Sequence, residues 1–195
     1  MLTHTLDAQS SPQEPPTDTK QLQKNFQTEF QDPNGRLMDR LINYIQEVDS
    51  AEVSKYYSPY FALSQSSGWG KSRALRELSR HLPVLYISLQ TAGATGYPRR
   101  NFDAIEFLQL HDGLFSVDSL KQRLMHAADT LRMHCFSRKE NGDPNLDLFN
   151  ETVSATFWEE VASSFEEPGE KKPASADDQL VVVAIDEARS LLSLQ

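Results

Sequence analysis

Cysteine is almost missing from this chain: among 195 residues only Cys135 carries a thiol, so no internal disulfide can form, and no Cys/His cluster has zinc spacing. That usage fits a reducing compartment. Also missing is any run of about 18 apolar residues, the length a membrane-spanning helix needs, and the N-terminus from Met1 to Lys20 has neither the basic start nor the apolar block of a secretory signal. Positive charge is in deficit, with 19 Lys and Arg against 28 Asp and Glu and a net charge of -9. This balance argues against a general electrostatic grip on DNA, RNA or anionic lipid, which runs on clustered Lys and Arg. No internal repeat is found. These absences leave a soluble intracellular protein, cytoplasmic or nuclear, as the expectation.

What is present is an ordinary globular composition, 38% hydrophobic and 24% charged, in a chain long enough for one domain with a real core. Residues 1–20 are rich in Thr, Ser, Gln, Asp and Pro and read as a flexible tail. Residues 21–57 form an N-terminal helical segment, in which Leu37, Leu41, Ile45 and Val48 recur at three- and four-residue steps after the turn Asp32-Pro33-Asn34-Gly35. Residues 58–195 carry strand and helix patterns in alternation: a strand near Tyr60 to Ser64, a helix from Arg73 to His81, and a strand at Val84 to Leu89. Helical patterns follow at 102–111, along Leu120, Leu124, Ala127, Leu131 and His134, and at 146–165, before a polar linker over 168–178 and a buried strand at Leu180 to Ile185.

The stretch Gln65-Ser66-Ser67-Gly68-Trp69-Gly70-Lys71-Ser72 lies between the first strand and the first of these helices, which is the order a phosphate-binding loop needs. Gly68 and Gly70 can take positive φ without steric cost and let an anion approach backbone N–H groups. Lys71 would meet the β- and γ-phosphates, and the Ser72 hydroxyl would ligate Mg²⁺ at the first turn of the helix, where the macrodipole also favours negative charge. The expected binding set is Ser66, Ser67, Gly68, Trp69, Gly70, Lys71, Ser72 and Arg73. A glycine turn ahead of a helix with a solvated lysine is the plain alternative. The usual GxxxxGK[ST] pattern has a glycine where this chain has Gln65, so the first bend of the loop is expected to be reshaped.

The second signature is Asp186-Glu187, at the end of the apolar strand and about a hundred residues after the loop. A strand ending in this pair supplies an Asp for Mg²⁺ and a Glu that polarises the attacking water. The plain alternative is a polar exit from a strand. Arg99, Arg100 and Arg189 are candidates for phosphate or acidic-partner contacts, although surface arginines most often only solvate and pair weakly. His126, His134 and Cys135 share a helix stripe, where packed or rim residues are commoner than ligands. Spacing supports no Ser/His/Asp or Cys/His set.

These residues resemble P-loop NTPases, and among them the additional-strand ATPases in which a Glu follows the Mg²⁺-binding Asp, here Ile185-Asp186-Glu187-Ala188. More narrowly, Ser67-Gly68-Trp69-Gly70-Lys71-Ser72-Arg73, Tyr97-Pro98 and Val183-Ala184-Ile185-Asp186-Glu187-Ala188-Arg189 look like the ATPase region of fungal and oomycete Crinkler-related proteins. The resemblance implies an α/β fold, a three-layered parallel-sheet P-loop NTPase fold, here with a helical insertion and a disordered N-terminal tail. It implies ATP and Mg²⁺ as cofactors, Asp186 and Ser72 as metal ligands, and Glu187 as the catalytic base. It also implies a further strand after the acidic pair, and Ala188 to Gln195 are too few to supply one. The expectation is therefore a domain truncated after the Walker B strand, completed by a protein partner or a missing C-terminal region. Mg²⁺-dependent ATP hydrolysis is the first functional reading. An interaction module that binds nucleotide without turnover is the second, and a small-molecule kinase with an acceptor lid built from the 102–165 helices is the third.

Overall fold

The computed structural model describes residues 17–32, 35–50, 62–63, 70–90, 97–110, 116–141, 145–165 and 180–186. In chain order the described elements are α1 (Thr17–Gln27), α2 (Arg36–Ser50), α3 (Lys71–Leu78), β1 (Val84–Ser88), α4 (Phe102–Phe107), α5 (Val117–Glu140), α6 (Glu151–Ser164) and β2 (Val182–Asp186). The two strands pair in parallel, with Val84 opposite Val182 and Ser88 opposite Asp186. Parallel neighbours cannot be joined by a tight turn, and the connection here runs through α4, α5 and α6.

β1 is rich in β-branched and aromatic residues and is buried along its whole length; Val84, Leu85, Tyr86 and Ile87 are each no more than 2% exposed. Burial of such side chains contributes about 1.5–3 kcal/mol apiece. Helix α3 turns Ala74, Leu75 and Leu78 into the same core, α5 adds the stripe Ala127, Leu131 and Cys135, and α6 adds Phe157, Trp158 and Val161. Asp32 starts α2, its carboxylate accepting from the backbone N–H groups of Leu37 and Met38, both at 3.0 Å.

Several boundaries differ from those the sequence suggests. A helix, α1, begins at Thr17, inside the residues expected to form the tail; residues 1–16 lie outside the described set. The 102–111 pattern gives a helix only to Phe107, because Gln109 turns to φ 57° and the Leu110 N–H bonds back to the Ile105 carbonyl, a helix-ending arrangement. The 146–165 pattern gives a helix only from Glu151: Asn150 accepts from the N–H groups of Thr152 and Val153, while Leu148 and Phe149 sit buried in the turn before it. Of the strand expected at 60–64, only Ala62 and Leu63 are described, neither in a strand, and the 168–178 linker lies outside the described residues.

The last strand was expected to be buried throughout, and it is not. Ala184 is covered, whereas Val183 and Ile185 on the opposite face are 42% and 41% exposed. Among the described residues β2 pairs with β1 alone. Their register partners Leu85 and Ile87 are buried, so on that face β1 is fully covered and β2 only in part.

Candidate functional site

The site grows from the start of α3. Gly70 caps that helix at φ 79° and ψ 23°, a left-handed conformation that costs an L-residue roughly 1–2 kcal/mol and glycine nothing. Its carbonyl accepts the first helical bond, from the Ala74 N–H at 2.8 Å. Lys71 and Ser72 consequently occupy the first turn, both partly buried, at the positive end of the helix dipole.

β2 ends at Asp186, whose side chain lies next to this turn. The Ser72 hydroxyl donates to Asp186 Oδ2 at 2.5 Å, joining residues 114 positions apart in sequence. A second donor reaches the same oxygen: the Tyr86 hydroxyl, from the middle of β1, at 2.9 Å. Burial, together with the negative charge of Asp186, pushes the Tyr86 phenol well above its ordinary range, so it stays protonated and donating. The Tyr86 ring is stacked on Phe149, centroids 4.1 Å apart at 29°. Tyr86 was not singled out from the sequence. The available signal was that Tyr86 and Ser88 are the two hydroxyl-bearing residues of an otherwise apolar strand, two apart and therefore on one face.

Two arginines of α3 fasten the N-terminal segment to this helix. Arg73 Nη2 donates to the Thr28 carbonyl at 2.9 Å and to the Glu29 carbonyl at 2.5 Å, just beyond the end of α1. Arg76 pairs with Asp147 at 2.8 Å, and its guanidinium lies 5.5 Å from the Phe26 ring centroid. The guanidinium of Arg73, expected among the phosphate contacts, is thus engaged with backbone carbonyls, the acceptors that a helix C-terminus offers a cation.

The donor set has the chemistry of two magnesium ligands. Ser72 and Asp186 bring a hydroxyl and a carboxylate together, hard oxygen ligands of the kind Mg²⁺ takes in ones and twos while retaining waters and phosphate oxygens. Among the described residues no group of three or more His, Cys, Asp or Glu forms a self-sufficient metal cage. Ser72 and Asp186 would hold the ion.

Of the other sequence candidates, Ser66, Ser67, Gly68, Trp69, Glu187 and Arg189 lie outside the described residues. Arg99 pairs loosely with Glu151 at 3.8 Å, and Arg100 donates to the Gln90 carbonyl at 2.8 Å beyond the end of β1. His126 meets Ser164 at 3.1 Å and His134 meets Glu160 at 2.9 Å, both across the α5–α6 contact. Cys135 is buried, and that burial raises its thiol pKa, the opposite of an activated nucleophile. No described helix is long and apolar enough to cross a membrane.

Over residues 32–195 the chain matches the family described as "Domain of unknown function (DUF8735)", and it belongs to that family. No curated protein and no solved structure matches it.

Proposed function

We propose that this chain binds a nucleoside triphosphate, ATP being the expected one, as its magnesium complex, and that it hydrolyses the terminal phosphate. The observation that carries the reading is the 2.5 Å hydrogen bond from Ser72 to Asp186. Two separately recognised pieces of sequence, a glycine-lysine-serine turn opening a helix and an acidic residue closing a strand, meet at one point. A serine that merely followed a glycine turn would not call for a hydrogen bond to the carboxylate that closes a strand 114 residues later.

In this reading the N–H groups of the loop and of the α3 N-terminus receive phosphate oxygens, and the Lys71 ammonium neutralises charge at the β- and γ-phosphates. Ser72 and Asp186 hold magnesium, which when bound offsets charge on the phosphate oxygens. Glu187 orients a water for attack on the γ-phosphorus and takes up its proton as the bond to the β-phosphate oxygen breaks. A cytoplasmic or nuclear location belongs to the same proposal, since ATP is supplied there.

Substituting Lys71→Ala is expected to abolish binding of a labelled ATP analogue, and an unchanged affinity would remove the reading. Gln65, standing where the loop pattern has glycine, favours a second reading in which the chain binds nucleotide without turnover, as a module completed by a protein partner. Steady-state phosphate release separates the two. Turnover that vanishes in Glu187→Gln while binding persists supports the enzyme, and binding without turnover in the native chain supports the module.

A further inference from the structure

Resting on the nucleotide-binding reading above, we propose that Tyr86 is a positioning residue for the metal-binding carboxylate: its hydroxyl, held on Asp186 Oδ2, sets the orientation in which Asp186 and Ser72 present oxygens to a divalent cation.

Three observations converge on it. First, Oδ2 of Asp186 receives two donors, Ser72 at 2.5 Å and Tyr86 at 2.9 Å, from two different elements. Two donors on one oxygen fix the carboxylate about its Cβ–Cγ bond in a way that one donor on a short serine side chain does not. Second, Tyr86 is itself closely packed. It lies at the centre of a buried strand, 1% exposed, and its ring is stacked at 4.1 Å on Phe149, which is 2% exposed. A tyrosine ring turns only about two side-chain bonds, and here the strand and the stack restrict both, so its oxygen is a defined point against which Asp186 is located. Third, packing does not call for the hydroxyl. Phenylalanine would fill the same volume and keep the stack, whereas a buried hydroxyl is costly without a partner. Its place in an apolar strand is explained by the group it meets, and that group is the carboxylate the cation needs.

Partners that hold a metal ligand from behind are typically worth 10–100-fold in metal affinity. A hydroxyl that merely satisfied its own burial would affect stability and leave metal dependence alone. The two roles therefore separate on a measurement of binding without reference to turnover.

The test uses the full chain, wild type and Tyr86→Phe, with a fluorescent ATP analogue titrated in EDTA and then across a series of MgCl₂ concentrations. The variant keeps the ring and its stack, and a thermal midpoint near that of the wild type reports the intact fold. The expected result is an affinity in EDTA within about twofold of wild type, and a magnesium concentration for half-maximal enhancement raised about 10–100-fold. A magnesium midpoint equal to wild type overturns the positioning role while the nucleotide reading stands. So does an equal loss of affinity with and without magnesium, which marks a structural hydroxyl. Absence of nucleotide binding by the wild-type chain in both conditions overturns both.

Discussion

Ser72, Tyr86 and Asp186 form a cluster in which two neutral donors serve one carboxylate oxygen, and its chemistry gives the chain a distinctive response to alkali. Both Tyr86 and Cys135 have folded-state pKa values raised by burial, so each keeps its proton in the native protein at a pH where the unfolded chain has lost it. The stability they contribute is complete below the unfolded pKa values and is lost as pH rises, from about pH 8.5 for the thiol and about pH 10 for the phenol. Thermal midpoints measured from pH 7 to 11 are expected to fall in that window, and Tyr86→Phe is expected to flatten the upper part of the fall. A midpoint that holds steady to pH 11 would contradict the buried phenol. The sequence named Ser72 and Asp186 because the motif types are recognisable residue by residue. It did not name Tyr86, since a tyrosine in a β-rich run is ordinary and its role depends on which strand lies alongside.

Two helix starts in this protein, those of α4 and α6, are capped by a single asparagine side chain, and Asn150 is the clearer case. Its carboxamide oxygen accepts from the N–H groups of Thr152 at 3.0 Å and Val153 at 3.2 Å, so two otherwise orphaned donors at the start of α6 are satisfied. Replacing Asn150 by Ala is expected to cost about 1 kcal/mol, read as a lower urea midpoint at unchanged slope. Apolar spacing made the existence of α2, α3, α4, α5 and α6 legible, and it misplaced the ends of α3, which stops at Leu78 instead of His81, and of α4 and α6. Periodicity continues past a cap or a left-handed residue, because Leu110, Leu148 and Phe149 remain buried after or before the helix proper. Gln109 gave no warning at φ 57°, being a residue type that seldom takes that conformation. The half-exposed face of β2 was illegible for a related reason: Val183 and Ile185 read as core residues, and only the sheet shows which face has cover.

At the scale of the molecule one core connects the elements, from Phe26 in α1 through β1 to Trp158 in α6. Leu131, fully buried on α5, is a point where that continuity can be tested: Leu131→Ala is expected to cost about 2–5 kcal/mol and to lower the thermal midpoint by several degrees, whereas a loss under 1 kcal/mol would mean a looser interior. The strand-helix-strand order around the glycine turn points to a parallel pairing of a 60–64 strand with β1, and of that strand only Ala62 and Leu63 are described; the parallel pair that is seen joins β1 to β2 instead. Which strand Asp186 would lie beside was not readable, because sequence order does not state spatial order. The 114-residue separation of Ser72 from Asp186 bears also on how the protein is made. At about 5–20 residues per second a ribosome needs roughly 6–23 s to go from one to the other. During that interval the nascent glycine turn and its helix stand without the carboxylate that Ser72 meets in the folded protein.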